Sequence, residues 1–301
     1  MMTRRWCAST LAGGLVAFCS GSGAVFAGDI DFFGLLQLDA LDVHAADNQQ
    51  LSAGNGLRAL KTGIKARLSE RLDTQVELAV SSSGDVSLDD SFVRYRLGDN
   101  MALSFGYLKI YHTLSAATSE TVGGLPERSL ASNAFEVGTG GQLGVFLQTG
   151  GGNWSVQTGV SFDDLNDDTA DTNGWGLHAR ATYAPILAEE AFLHVGLSAY
   201  YRDEDDNLLF LSARPEAWLD GGRMFASGLV EADHYRHANI ELATSSGPWL
   251  FDAEYGGLRT KGREAHSYDG GHIAASYVLT GEHRAYDAGA GKLKAFSLHD
   301  R

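Results

Sequence analysis

Alternation with a period of two, in which charged and apolar side chains occupy adjacent positions, constrains this 301-residue chain more than any other feature. Leu60, Thr62, Ile64, Ala66 and Leu68 interleave with Lys61, Gly63, Lys65 and Arg67. Leu72, Thr74, Val76, Leu78 and Val80 interleave with Asp73, Gln75, Glu77 and Ala79. Leu193, Val195, Leu197, Ala199 and Tyr201 interleave with His194, Gly196, Ser198, Tyr200 and Arg202. Period two puts one set on each face of a sheet. Two architectures accept it: a soluble antiparallel sandwich with one wet face, and a membrane barrel with its apolar face turned outward.

Three features favour the barrel. The alternating runs extend over about 10 residues, where soluble strands cluster nearer 5–6. Glycine is abundant, at 37, and proline scarce, at 4. Short connections such as Ser69-Glu70-Arg71 and 150–153 alternate with long ones over 44–56, 111–140 and 163–174, as expected of exported barrels. Trp154, Trp175, Tyr183, Tyr201, Trp249 and Tyr277 fall near strand ends, where an aromatic girdle would lie. The expectation is an all-β transmembrane antiparallel barrel of about twelve to fourteen recognisable strands, with 218–236 hard to divide.

The N-terminus reads as an export signal. Arg4 and Arg5 precede the apolar stretch Leu11 to Phe18, and Val25-Phe26-Ala27 offers a cleavage site after Ala27. Residues 1–27 are thus expected to be a signal peptide and 28–301 one barrel domain. Both cysteines, Cys7 and Cys19, fall in the signal, so the mature domain would have no disulfide and must be stabilised another way, such as by closing a sheet into a barrel. A net charge of −15 argues against nucleic acid as a partner.

Catalytic and metal motifs are not found. The chain lacks H-E-x-x-H, G-x-S-x-G, a Walker loop and G-x-G-x-x-G. Gly138 to Gly144 reads as a flexible loop before a strand. Asp163-Asp164-Leu165-Asn166-Asp167-Asp168 and Asp203-Glu204-Asp205-Asp206 read as solvated outer loops, because the EF-hand glycine and terminal glutamate are missing. The ten histidines are scattered, with His234 and His237 placed near a strand connection. No cofactor and no catalytic residue is expected.

The basic residues carry a mechanism. Lys61, Lys65 and Arg67 share one face, Arg94 and Arg96 another, and Arg180 and Arg202 lie in further strand-like runs. A Lys or Arg facing lipid near the midplane costs about 2–4 kcal/mol. In a barrel, most of these cations must therefore face the lumen or the interfaces. Inside a pore they would favour anions. Alternatively they pair with Asp73, Glu77 or Asp90 and neutralise the wall.

Several short phrases, in one order, resemble the phosphate-selective porin O and P family. Phe105-Gly106-Tyr107-Leu108-Lys109-Ile110 is followed by Pro126-Glu127-Arg128-Ser129-Leu130, then by Arg180-Ala181-Thr182-Tyr183-Ala184-Pro185 and Leu193-His194-Val195-Gly196. Ala213-Arg214-Pro215-Glu216, Gly247-Pro248-Trp249 and Tyr277-Val278-Leu279-Thr280-Gly281-Glu282 complete the pattern. The resemblance implies a sixteen-stranded outer-membrane barrel, a homotrimer, and passage of anions such as phosphate. It also implies that the loop after Lys109 folds inward as a constriction. Lys109 and Arg128 stand in matched phrases. Tyr111-His112 replaces the family's Pro-aromatic pair. The end at Leu298-His299-Asp300-Arg301 lacks the closing strand with a terminal aromatic, so a truncated product or fragmentary sequence is expected.

The sequence therefore points to a passive outer-membrane channel for small hydrophilic solutes, with Lys61, Lys65, Arg67, Arg94, Arg96, Lys109 and Arg128 as the candidate cationic lining. The alternatives are a secreted β-sandwich that binds carbohydrate and a nonfunctional truncated porin.

Overall fold

The computed structural model describes residues 11–23, 29–42, 54–119, 121–123, 125, 127–136, 141–166, 174–204, 208–214 and 223–294. The cleavage position after Ala27, Pro126, Asp167-Asp168, Asp205-Asp206, Pro215-Glu216 and Leu298 to Arg301 lie outside them. Nearly everything described is antiparallel strand. The strands are β1 (Leu11–Gly23), β2 (Ile30–Asp42), β3 (Gly54–Arg67), β4 (Leu72–Val80), β5 (Val86–Leu88) and β6 (Ser91–Gly98). Next come β7 (Met101–Lys109), helices α1 (Leu114–Ala117) and α2 (Leu130–Phe135), β8 (Gly141–Gly151), β9 (Trp154–Ser161) and β10 (Trp175–Leu187). The last are β11 (Ala191–Asp203), β12 (Leu208–Ala213), β13 (Phe225–Glu231), β14 (His234–Ser246), β15 (Trp249–Lys261), β16 (Ser267–Tyr277), β17 (Tyr286–Asp287) and β18 (Lys292–Leu293).

Fourteen strands form one sheet in the order β1-β2-β3-β4-β6-β7-β8-β9-β10-β11-β14-β15-β16, with β5 beside β4. Neighbours in sequence pair, except that β6 pairs with β4 past β5, the β12–β13 hairpin intervenes between β11 and β14, and β17 and β18 pair only with each other. Among the described residues β16 pairs only with β15, and the sheet is not closed into a cylinder. Leu11–Gly23, which contains the apolar run of the expected export signal, pairs with β2 from Leu11↔Asp42 to Gly23↔Ile30.

The connections separate by length onto the two ends of the sheet. At one end lie tight turns over 68–71, 99–100, 152–153, 188–190 and 247–248. At the other lie the segment 81–90 with β5, the helical connection between β7 and β8, and the β12–β13 hairpin. The turn after β15, over 262–266, is the short member of that end.

Burial runs opposite to that of a soluble sheet. Along β10, Leu177, Ala179, Ala181 and Tyr183 are exposed, while His178, Arg180 and Thr182 between them are buried. Along β14, Ala238, Ile240 and Leu242 are exposed, while His237, Asn239 and Glu241 are buried. Ile240 is 57% exposed and Glu241 only 4%. Water on the outer face would leave a continuous apolar surface unsatisfied, whereas hydrocarbon accepts it. A carbohydrate-binding sandwich would need a second sheet packed on that face. None is present among the described residues.

The aromatic belts stand where the sequence puts them. Trp154, Tyr183, Trp249 and Tyr277 are exposed at the tight-turn end, and Trp154 lies directly across from Tyr183 and Trp249 from Tyr277. Trp175 and Tyr201 mark the other end, their rings 5.4 Å apart. Along β10, Trp175 and Tyr183 are separated by about 26 Å at the usual strand rise, close to the apolar band of about 25 Å in membrane barrels.

Three expectations are corrected. Gly141 to Gly144 is the start of β8 and not a flexible loop, because Gly144 faces Gly106 across the ladder and a side chain there would meet the Phe146 ring. The acidic loop after β9 is fastened to the wall and is not freely solvated: Asp163 pairs with Arg202 at 2.5 Å and Asp164 accepts from the Tyr107 hydroxyl at 2.5 Å. His234 opens β14, whereas His237 is deeply buried on its inner face.

Ile240 offers a direct check on orientation. Ile240→Lys places a cation on the outer face near mid-strand. It should lower folding stability in lipid by about 2–4 kcal/mol, measured by urea titration in vesicles. An unchanged midpoint would mean that this face does not meet hydrocarbon.

Candidate functional site: a charged inner wall and an inward-folded loop

The inner face of β3, β4 and β6 gathers the predicted cations into a ladder. Arg67 and Arg96 share Asp73, at 3.7 and 2.6 Å. One level higher, the Lys65 ammonium lies 4.7 Å over the Phe33 ring and the Arg94 guanidinium 4.7 Å over Phe92. Arg94 also donates to Ser104 Oγ at 3.1 Å. Among the described residues neither Lys65 nor Arg94 has a carboxylate within ion-pair distance. Next, Lys61 and Lys109 share Asp89, at 2.5 and 2.8 Å. Arg58, the extra residue of a bulge in β3, then reaches Asp39 and Glu127, each at 3.2 Å. From Arg67 to Arg58 the ladder climbs about 30 Å at the usual rise.

Lys109 reaches the ladder through an irregular strand. Gly106 has φ +143, and a Cβ there would strike Ser91 O, so only glycine fits. Lys109 N also donates to Asp90 Oδ1 at 2.9 Å. Arg128 stands apart, before α2, ion-paired with Glu136. Six of the seven predicted lining residues are therefore brought onto one wall, and Arg128 is carried on the loop that faces it.

That loop, from β7 to β8, crosses to the inner face of the opposite strands. Two short helices shape it. Thr113 caps α1 by accepting from Ala116 N at 2.8 Å, and Ser129 caps α2 by accepting from Ser132 N at 3.2 Å. Glu254 on β15 then accepts from Leu114 N at 3.1 Å and Ser115 N at 2.9 Å, and Asn239 Nδ2 donates to the same carboxylate at 3.1 Å. Ser198 donates to His112 O, and the Tyr200 hydroxyl to Phe135 O at 3.0 Å. The His112 ring sits edge-on to Tyr200 and His237, at 5.5 and 5.6 Å. Phe135 packs with Leu209, Leu211, Val230 and Tyr235, so the β12–β13 hairpin and the loop share one apolar core.

A second polar group lies nearer the tight-turn end. Arg180 forks onto Glu241 at 2.8 and 2.6 Å, and His194 Nε2 lies 3.0 Å from the same carboxylate. Its Nδ1 is 2.5 Å from the Tyr286 hydroxyl. Tyr286 belongs to the segment after β16, which folds back inside: Phe192 stacks on Tyr286 at 4.9 Å, and Arg180 donates to Gly291 O at 2.7 Å. Arg284 donates to Val122 O, and Leu293 N to Thr118 Oγ1 at 3.3 Å, joining this segment to the loop.

Sequence reasoning missed Glu254, Glu241, His112, His178 and His237 as parts of the inner face. Each occupies an inward position of an alternating strand or a loop, so the period-two pattern placed the strand residues. Which of them meet the loop depends on pairing across distant strands. Among the described residues no group of three or more His, Cys, Asp or Glu could hold a metal ion.

Comparison with known proteins gives this wall a context. An uncharacterized protein of Caulobacter vibrioides is 29% identical over 289 residues, covering 89% of this chain and 57% of its own length. Porin O of Pseudomonas aeruginosa is 28% identical over 233 residues, covering 68% of this chain and 52% of its own length. The chain thus spans little more than half the length of these relatives. Among solved structures, OmpT of Vibrio cholerae, an outer membrane protein described in a trimer form, superposes with a TM-score of 0.43 at 12% identity. It covers 91% of this chain and 96% of that one. Residues 33–300 match the family described as phosphate-selective porin O and P, and with that match spanning most of its length the chain belongs to this porin family.

Proposed function

We propose that the chain forms the wall of an outer-membrane channel that passes small hydrophilic solutes by diffusion, with anions such as phosphate favoured. The observation that carries the reading is the inverted sheet: apolar side chains such as Ile240 and Leu197 stand outward, while Arg180, Glu241 and the cation ladder stand inward. The inward-folded loop supplies a constriction, held by Glu254 and facing the ladder with Arg128. On this reading residues 1–27 direct export and are cleaved after Ala27, which would free the β2 edge for other pairing. The assembly is a homotrimer by family resemblance. The activity is that of a channel, not an enzyme.

Anion preference rests on the lower ladder. There Arg67 and Arg96 share Asp73, while Lys65 and Arg94 rest on the Phe33 and Phe92 rings, so the cations outnumber the carboxylate they pair with. A second reading, a charge-balanced pore, is favoured by the pairs higher up and by Asp29 and Asp31 beside Lys65 and Arg67 in a recess of about 320 Å³.

Reversal potential in a salt gradient across a planar bilayer separates the two. A unit charge at about 4 Å in water is worth about 1 kcal/mol, so Lys109→Glu or Arg128→Glu should lower the anion-to-cation permeability ratio several-fold. Cation selectivity in the wild type would remove the anion preference. An unchanged potential in both variants would remove their lining role.

The loop should also respond to acid. Burial, reinforced by His237, pushes the His112 imidazole down to about 3 from its ordinary 6.5. The undocked loop takes up a proton that the docked loop refuses. Docking therefore weakens progressively as pH falls from about 6.5 toward about 3. Current noise should rise over that window in the wild type and stay flat in His112→Phe. A flat wild-type profile would show that His112 docking does not control the aperture.

A further inference from the structure

The outer face carries a feature that a channel wall does not need. Arg236 on β14 and Arg259 on β15 lie directly across from each other, and both side chains are exposed on the outward side. Like charges opposite each other in a ladder destabilise a sheet unless an anion lies between or beside them. Lys261, two residues beyond Arg259 on the same face, adds a third cation. Asp269 takes one side of Arg259 at 3.0 Å, and Asp203 accepts from the Tyr201 hydroxyl at 3.1 Å. Among the described residues no carboxylate reaches Arg236 or Lys261.

These cations sit at a defined height. Arg236 is the third residue of β14 and Lys261 the last of β15, so they stand within about 7 Å of the strand ends. Trp175 and Tyr201 mark the same level on the neighbouring strands. Toward the membrane centre an outward groove of about 780 Å³ begins at the two arginines. Its floor is the row Ala179, Ala199, Ala238 and Gly257, each directly beside the next in the ladder. Ile240 and Tyr255, 57% and 56% exposed, rise on its far side. The groove is therefore charged at headgroup height and apolar below, the polarity of a single lipid molecule.

We propose that this groove binds an acyl lipid of the outer leaflet through its phosphate, which Arg236, Arg259 and Lys261 hold while one chain crosses the Ala-Gly floor toward the membrane centre. Guanidinium groups fork onto phosphate oxygens and are weakly hydrated, which suits them to this height. The inference rests on the membrane reading above. A second copy of this chain fits less well, because the outer face it would bring is mostly apolar, whereas Arg236 and Lys261 call for an anion.

The test uses the full chain purified from outer membranes in mild detergent and native mass spectrometry. Three probes are added separately: phosphatidic acid, diacylglycerol with the same chains, and inorganic phosphate. The wild type should retain phosphatidic acid and release the other two. Arg236→Ser with Lys261→Ser, which leaves the Arg259–Asp269 pair in place, should weaken that retention about tenfold. Equal retention of diacylglycerol, capture of inorganic phosphate alone, undiminished binding by the double variant, or occlusion of the groove by a second copy would each overturn the proposal. Because Arg236→Ser relieves a like-charge contact, the variant should insert as well as the wild type. A wild type that stays soluble would instead remove the membrane reading itself, whereas one that inserts but shows no lipid preference removes this inference alone.

Discussion

Hydrocarbon offers a backbone no hydrogen-bond partner, and that requirement organises this molecule. A sheet meets it strand by strand, each ladder satisfying the amide groups of its neighbour. Once the outer face belongs to lipid, every charge must go inward or to an end. The ladder from Arg67 to Arg58, the Arg180–Glu241–His194 group and Glu254 are all on the inner face for that one reason. Among the described residues the interior is accordingly polar along much of the strands, and apolar at the Leu108–Phe146 cluster and where the loop, the β12–β13 hairpin and the segment after β16 are packed inside.

The inner charges are arranged in shared pairs. Two lysines on Asp89 and two arginines on Asp73 leave each carboxylate over-subscribed. Each such trio of two cations and one carboxylate carries a formal charge of +1. The forked Arg180–Glu241 pair differs: both groups are buried, Glu241 has no exposed side-chain surface, and Gly291 O completes the arginine's contacts. It serves as a fixed seat for the returning segment.

The strands and their faces were legible in the sequence because alternation is local: reading Lys61, Lys65 and Arg67 as one set needs only the residues between them. The aromatic belts were legible for the same reason. What lay beyond reach was every contact between segments far apart in the chain. Asp163 and Asp164 look like a solvated acidic run until Arg202 and Tyr107 come beside them. Gly141 to Gly144 looks like a loop until β7 supplies its ladder. His112 and His237 are 125 positions apart and meet only because the loop crosses the interior. The placement of Leu11–Gly23 beside β2 shows a related ambiguity: an apolar run that suits an export signal also satisfies a strand edge.

The loop between β7 and β8 leaves one side of the sheet and is fastened to the other, at Glu254, Ser198 and Tyr200. It is thus a crossbeam as well as a lip. Any flattening or rounding of the sheet must stretch or slacken it, so the position of the loop and the cross-sectional shape of the wall cannot vary independently.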